Sequence, residues 1–392
     1  MNLLDLDGGK FLLLLTIGPL IMRLPLPSRQ WFFALISGSV FMLALPDWKV
    51  RLAVLVFTFL PLLQLLWFRT RSIEPMVVLL VTMFVWLNGY IRVALGQNSS
   101  LGVAHVLGLS YILFREIEVL ALSSKDQSDP VNAFEYFGFL MSFWTILAGP
   151  IQRYPAFVAA FRDRKGPNVS DALMLLNRAV NGLLKVLLMG TFLLNAATEA
   201  GQRLSARGLN AFDFAVAFYG FAAYMYLNFS GYCDLVIAAA GWAGFALPEN
   251  FNKPWLSRDM VEFWNRWHIT LSEWARDYIF QPLFKRLLRE RMEWPNVAQY
   301  EAILVTFLIV GLWHGSTSSW SIFGLFQSIG VVWSVARRNR LQKTLGKQGY
   351  KAYSNSVWRL WLGRAICFHY VCASFLFIGF APEAIAHWVH LN

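Results

Sequence analysis

Apolar runs close to the thickness of a bilayer core follow one another along almost the whole chain, and no other feature restricts its fold as much. They occupy residues 11–22, 31–45, 52–68, 75–95, 101–120, 134–151, 172–194, 212–227, 232–247, 302–313, 320–336 and 365–380. A helical span needs about 20 apolar residues, because in hydrocarbon every backbone N–H and C=O must find its partner within the protein. Composition agrees with that reading: 57% of the 392 residues are hydrophobic and only 15% are Asp, Glu, Lys or Arg, against roughly 25% in a soluble domain. The sequence therefore predicts an all-α polytopic membrane protein with about 10–12 membrane helices, some of them short, broken, re-entrant or interfacial. No internal repeat or domain boundary stands out, so residues 1–392 are expected to form a single membrane domain. A cleavable targeting peptide is not expected, since hydrophobicity continues and no small-residue cleavage site follows Met22.

The net charge of +11 would suit nucleic acid, but its distribution argues against that partner. Basic residues concentrate in short connections, at Arg69 and Arg71 and within 153–165, 285–291 and 337–351, as cytoplasmic loops require. Residues 116–129 carry more acids than bases and are expected on the opposite side. A hairpin over 302–336 then lies between two cytoplasmic loops. Cys233, Cys367 and Cys372 sit in apolar surroundings without metal-ligand spacing, so they are expected to pack as small hydrophobes, and no metal site is expected.

Two aromatic segments each carry a histidine. Residues 262–279 read EFWNRWHITLSEWARDYI and residues 311–315 read GLWHG, which makes His268 and His314 the candidates for chemistry. A neutral imidazole accepts a proton near neutral pH, whereas burial weakens it as a base without removing it from consideration. The segment from Ser257-Arg258-Asp259 is expected to begin an amphipathic helix on which Trp264, His268, Leu271, Ala275 and Tyr278 share one face. On that face His268 either packs structurally or takes part directly. Gly311 and Gly315 flank His314, which fits a backbone break aiming the imidazole into a cavity; the bland alternative is small-residue helix packing. Upstream, residues 228–234 read NFSGYCD between two apolar runs, with Ser230 and Gly231 resembling a helix start. A carboxylate at that depth needs a partner, and an Arg-paired structural role is expected for Asp234 in preference to proton handling.

Four segments together resemble the membrane-bound O-acyltransferase family, in particular its bacterial branch containing alginate O-acetylases and the D-alanyl transfer protein of teichoic acid modification. They are NFSGYCD at 228–234, PENFNKPW at 248–255, the histidine segment at 262–279, and GLWHG at 311–315. Outside 228–315 the likeness rests on hydropathy and on the short AGPIQRY stretch at 148–154. The family pattern makes the residue matching His314 catalytic, and the one matching His268 a second histidine of the active region. Phe284-Lys285-Arg286 after Pro282 departs from the glycine-rich turn frequent in bacterial relatives, which bears on the donor or partner more than on the reaction class.

The resemblance implies a helical bundle around a central tunnel, joining a cytoplasmic donor entrance to an acceptor site across the bilayer. It implies transfer of a small acyl group from acyl-CoA or a phosphopantetheinyl acyl-carrier-protein thioester to a hydroxyl of an extracytoplasmic cell-envelope glycan, and it does not firmly imply a bound cofactor. Membrane lipids surround the chain, and a separate envelope acyltransferase is an expected further partner. His314 would act as general base, while His268 would orient the acceptor, polarise the donor or support His314. Since no nucleophile elbow or Ser-His-acid order is present, direct transfer is expected rather than an acyl-enzyme. Acylation of a lipid or lipid-linked intermediate is the alternative within the enzyme class. A transporter using the same buried polar groups is the alternative outside it.

Overall fold

The computed structural model describes residues 15, 38–39, 48–67, 72–87, 108–124, 131–142, 144–162, 166–315 and 317–390. Apart from residues 15 and 38–39, the expected runs at 11–22 and 31–45 lie outside the described residues, as do Arg69 and Arg71, the acidic connection beyond Ser124 and residues 163–165 of the basic connection. Every regular element described is helical. In chain order they are α1 Trp48–Trp67, α2 Glu74–Leu87, α3 Leu109–Ser123, α4 Ala133–Leu140, α5 Tyr154–Arg162, α6 Val169–Arg207, α7 Ala211–Trp242, α8 Met260–Trp264, α9 Ile269–Ala275, α10 Gln281–Glu290, α11 Pro295–His314, α12 Ser318–Ser354, α13 Val357–Gly379 and α14 Pro382–His390. Helices α6, α11, α12 and α13 are long and apolar enough to cross a membrane, and α1 and α2 are shorter apolar helices. The chain is a multi-pass helical membrane protein, as a place in the cytoplasmic membrane requires.

The described residues form two compact units. The first takes α1–α5, the start of α6 and the end of α7. Its interior is aromatic: Trp144 packs on Phe245 with centroids 5.0 Å apart, and Phe157 stacks on Phe161 and Phe245. Several polar groups inside it are paired. The buried Arg115 guanidinium donates to the Phe139 and Leu140 carbonyls and to Thr145 Oγ1, while Tyr136 Oη donates to the Thr58 carbonyl at 3.0 Å. Arg178 Nε donates to Asp234 Oδ1 at 3.0 Å, the structural pairing that the cost of a carboxylate at membrane depth required.

The second unit takes the rest of α6 and α7 and everything from Glu249 onward. Two apolar runs, 212–227 and 232–247, were expected to be separate; instead α7 runs unbroken through Asn228–Asp234. Gly231 makes continuity physically reasonable. A Cβ there would lie 2.8 Å from the Gly182 carbonyl oxygen, so the glycine serves helix approach and not helix initiation. The expected hairpin over 302–336 is present as α11 packed along α12. At its crossing a Cβ on Gly311 would stand 2.6 Å from the Trp320 carbonyl oxygen and 2.9 Å from Gly324 Cα. Between membrane helices burial from lipid yields little hydrophobic gain, so close approach and dispersion supply the attraction.

The second correction concerns 257–278. One amphipathic helix was expected there, and three short pieces are found. Asp259 caps α8, its Oδ1 accepting the Glu262 N–H at 2.9 Å, but the helix ends at Trp264. Residues 250–252 then pair with 266–269 in strand-like fashion: Asn252 N–H donates to Arg266 O at 2.9 Å, and Ile269 N–H to Asn250 O at 3.1 Å. Proline and asparagine in 248–254 favour that extended, turn-rich path over a helix. Helix α9 restarts after His268, and one π-turn over Arg276–Phe280 leads into α10. Trp264, Trp267 and Phe263 from this segment pack against Phe307, Phe323 and Phe375 of α11–α13. Among them, Gln327 accepts from Trp264 Nε1 at 3.2 Å and donates to Ser374 Oγ at 2.7 Å.

Candidate active site

Both expected histidines fall in the second unit. His268 occupies the turn between α8 and α9 with φ 44° and ψ 50°, a left-handed conformation unusual for a residue with a Cβ. Holding such a residue there costs on the order of 1 kcal/mol, supplied here by the pairing of 250–252 with 266–269. The turn removes His268 from the helical face it was expected to share with Trp264 and Leu271, and sinks it to 3% exposure.

The hydrogen bonds around His268 fix its chemical form. Asn250 Oδ1 receives the Thr270 backbone N–H at 3.2 Å and the Thr270 hydroxyl at 2.9 Å. A backbone N–H can only donate, so the Asn250 atom facing this cluster is the amide oxygen. His268 Nδ1 lies 3.3 Å from the same oxygen and must therefore carry the hydrogen. Nε2 is left as a bare lone pair, buried and without a protein hydrogen-bond partner among the described residues. Phe229 meets the imidazole edge-to-face with centroids 4.8 Å apart. Burial pushes the pKa of His268 well below the ordinary histidine range, and repulsion from His314 pushes it the same way. The group is neutral near pH 7.

His314 is the last residue of α11, where Gly315 ends the helix. Its half-buried ring stacks on Trp320 at 4.8 Å and 17°, with Phe323 edge-on at 6.4 Å. Both flanking glycines have steric work. A Cβ on Gly311 would push α12 away, and one on Gly315 would lie 2.5 Å from the Trp320 ring that carries the imidazole. Close helix packing thus accounts for the glycines of GLWHG. No ring hydrogen bond holds His314 among the described residues.

A cavity of about 490 Å³ lies beside this region, with Asn265, Ile269, Arg276, Thr306, Val310 and Arg338 in its wall. Neither histidine lines it. Its wall nevertheless includes Ile269, next to His268, and Val310, one helical turn before His314. Arg276 and Arg338 put positive charge on the same wall.

A membrane-bound O-acyltransferase family model matches residues 42–377. The chain belongs to the membrane-bound O-acyltransferase family. It is 30% identical over 299 residues to a teichoic acid D-alanyltransferase of Streptococcus thermophilus, covering 73% of this chain and 71% of that protein. The corresponding Bacillus subtilis protein is 28% identical over 294 residues, 70% of this chain and 69% of the relative. A probable alginate O-acetylase, AlgI, of Pseudomonas aeruginosa is 28% identical over 277 residues, 67% of this chain and 51% of the relative. The chain therefore resembles two branches of the family at nearly equal identity, and its family membership supports an acyltransferase-type enzyme in a membrane setting.

Cys233, Cys367 and Cys372 are buried, with Cys367 Sγ 3.8 Å from Met260 Sδ. They pack as the small hydrophobes expected. Asp234 belongs to the first unit and pairs with Arg178. Sequence reasoning missed Asn250, Phe229 and Trp320. Asn250 sat in the quoted PENFNKPW motif, and an amide beside two prolines carried the usable signal: a side chain placed to hydrogen-bond across a turn.

Proposed function

We propose that this O-acyltransferase moves a small acyl group from a thioester delivered on the cytoplasmic side to a hydroxyl of an extracytoplasmic envelope glycan, with His314 as the general base. The observation that carries the reading is the pair of imidazoles, one fixed by Asn250 and the other stacked on Trp320 at a helix end. Acyl transfer needs the acceptor oxygen to lose its proton as it attacks the thioester carbonyl. His314, half-exposed at the end of α11, is the more reachable base for a large acceptor. His268 presents a lone pair at Nε2 and no proton, which disfavours polarising the donor carbonyl. It instead accepts a hydrogen bond, either from the acceptor hydroxyl or from His314, and so orients the group that reacts.

The attack joins the acceptor oxygen to the acyl carbon and expels the thiolate of the donor, which takes up the proton that His314 removed. The pantetheine arm of an acyl-CoA or carrier thioester would lie in the roughly 490 Å³ cavity against Ile269 and Val310, with Arg338 offered to its phosphate, on a wall that also carries Glu273 and the Asp277-paired Arg276. A tunnel continuing from that cavity to the far side completes the reading. The relatives, teichoic acid D-alanyltransferases and probable alginate O-acetylases, favour teichoic acid or alginate as models for the acceptor.

The test compares ester-linked acyl groups on envelope glycans from cells with and without the gene. Alkali-labile acyl groups should disappear from one glycan and return with the intact protein but not with a stably expressed His314→Ala variant. Unchanged glycans with altered membrane-lipid esters would replace this reading with lipid acylation. Substrate-driven uptake in vesicles with no acyl transfer would replace it with transport.

A further inference from the structure

Away from the histidines, the second unit gathers arginines around one tyrosine. Gly346, with φ 66° and ψ 177°, breaks α12, and the chain beyond it turns back so that Tyr353 reaches Arg337. Sixteen residues of straight helix would separate them by about 24 Å, yet Arg337 Nη2 donates to Tyr353 Oη at 2.8 Å. Arg359, from the first turn of α13, places its guanidinium carbon 3.9 Å from the centre of the same ring, and Arg337 lies 5.9 Å from it. Arg337 also lies over Trp333 at 5.4 Å. Among the described residues no carboxylate pairs with Arg337, Arg338 or Arg359. Asp259, the acid beside them, caps α8, and the nearby Glu262 is taken by Arg258 and Arg266. Like charges have thus been brought together on aromatic faces, with Asp259 the acid in the pocket wall and no ion pair to Arg337 or Arg359 among the described residues.

These groups line a pocket of about 190 Å³. A second, apolar cleft of about 330 Å³ shares Arg258, Asp259, Trp333, Ser334, Arg337 and Gly363 with it and runs on to Ile329, Ile366 and Tyr370. Gly363 and Gly330 shape this cleft, since a Cβ on either would lie 2.9 Å from the Arg258 carbonyl oxygen or 2.6 Å from the Tyr370 ring. The depth is that of a membrane interface. The apolar run of α12 ends at Ala336, immediately before Arg337, and that of α13 begins at Ala365, immediately after Arg364. Trp333, Trp358 and Trp361 are exposed at this level, as interfacial tryptophans are. Ile329 and Ile366, deeper along the same helices, are exposed too. On α12 the cleft uses Ile329, Gly330, Trp333 and Arg337, whereas the catalytic-side cavity uses Val331 and Val335, a different stripe of the helix; Arg338 lines both that cavity and the arginine pocket.

We propose that the arginine pocket and the apolar cleft together form one binding site for an anionic phospholipid. Arg337 and Arg359 hold the phosphodiester, with Arg258 at the rim, and an acyl chain lies against Ile329, Ile366 and Tyr370. Guanidinium forks match phosphate oxygens, and the continuous apolar cleft distinguishes a lipid from a soluble phosphate. No acyl transfer is involved, so the site stands independently of the proposed reaction.

Native mass spectrometry of the full-length, detergent-solubilised protein titrated with dioleoyl phosphatidylglycerol or dioleoyl phosphatidylcholine tests the site. The wild type should retain the anionic lipid preferentially. The double variant Arg337→Gln/Arg359→Gln should bind it about 25-fold more weakly, each interfacial charge contributing about fivefold. Ile366→Trp, which fills the cleft without touching the arginines, should also weaken retention and serves should the double variant fail to fold. Arg286→Gln, in the separate basic helix α10, should leave the preference unchanged. Equal retention of the two lipids by the wild type, or a preference that survives in folded forms of both variants, would overturn the proposal. So would competition by glycerol phosphate or coenzyme A as effective as that of the lipid, which would make the pocket a soluble-phosphate site.

Discussion

Replacing Asn250 by Ala tests the link between the local fold and the form of His268. Asn250 Oδ1 is the shared acceptor for His268 Nδ1–H, the Thr270 N–H and the Thr270 hydroxyl, at 3.3, 3.2 and 2.9 Å. The hydroxyl can rotate toward another acceptor. The two N–H groups cannot, since one belongs to the first turn of α9, where helical partners are lacking, and the other to a ring held by Phe229. Each buried donor left without a partner costs about 1–3 kcal/mol, so the variant should lose about 2–6 kcal/mol of stability. Freed from Asn250, His268 would also distribute between two tautomers. Turnover per folded molecule should then fall roughly 5- to 30-fold, the equivalent of one hydrogen bond of about 1–2 kcal/mol, with little change in KM for the donor. Asn250→Asp retains the acceptor oxygen and places a negative charge beside the ring, which raises the His268 pKa. It should keep most activity near pH 8 and move the acidic limb of the pH–rate profile upward. Thermal unfolding in detergent and thioester consumption in proteoliposomes read both effects. Wild-type stability and turnover in Asn250→Ala, or an acidic limb unmoved in Asn250→Asp, would refute the reasoning.

Other expectations follow from the same geometry. His314→Ala should remain folded in the membrane while acyl transfer falls about 10²- to 10⁴-fold, the usual range for a lost general base; near-normal turnover would remove His314 from that role. Because burial lowers the folded-state pKa of His268, protons bind the unfolded chain more readily, so stability is held above the ordinary histidine range and lost as pH falls below it. The thermal midpoint should decline on acidification through that window, and less steeply in His268→Gln; equal slopes would contradict the assignment. Gly311→Leu must displace backbone, since the Trp320 carbonyl oxygen lies 2.6 Å from its Cβ position, and should cost at least about 1–3 kcal/mol, read as a lower yield of folded protein. Single cysteines introduced at Arg286 or Arg338 should be protected from membrane-impermeant reagents applied to the outer face; labelling from outside would reverse the expected topology.

Hydropathy made the helical class legible, because bilayer length and backbone satisfaction leave few other solutions for such a chain. It also located the α11–α12 hairpin, where short basic segments bracket two apolar runs. Local polarity misled at Asn228–Asp234. That stretch looks like an interruption, but α7 passes through it because Arg178 pairs with Asp234 and Gly231 admits the Gly182 backbone. At His268 the periodicity of three and four was real and was overridden by pairing between residues far apart in sequence, 250–252 with 266–269. The identity of the candidate histidines was readable from their aromatic and glycine company. The tautomer of His268 was not, because it depends on which atom of Asn250 faces it, a matter of tertiary geometry alone. The arginine pocket was hidden for a similar reason: Tyr353 and Arg337 look distant until the turn at Gly346 folds one onto the other.

The central claim is that the two imidazoles of the second unit carry out acyl transfer from a thioester to a hydroxyl. Purified protein in proteoliposomes, supplied with labelled acetyl or D-alanyl thioesters on coenzyme A and on carrier protein together with envelope glycans, measures it most directly. Label is expected in an alkali-labile ester on one glycan, with transfer nearly abolished in folded His314→Ala and strongly reduced in folded His268→Ala. Transfer at the wild-type rate in both folded variants would contradict it.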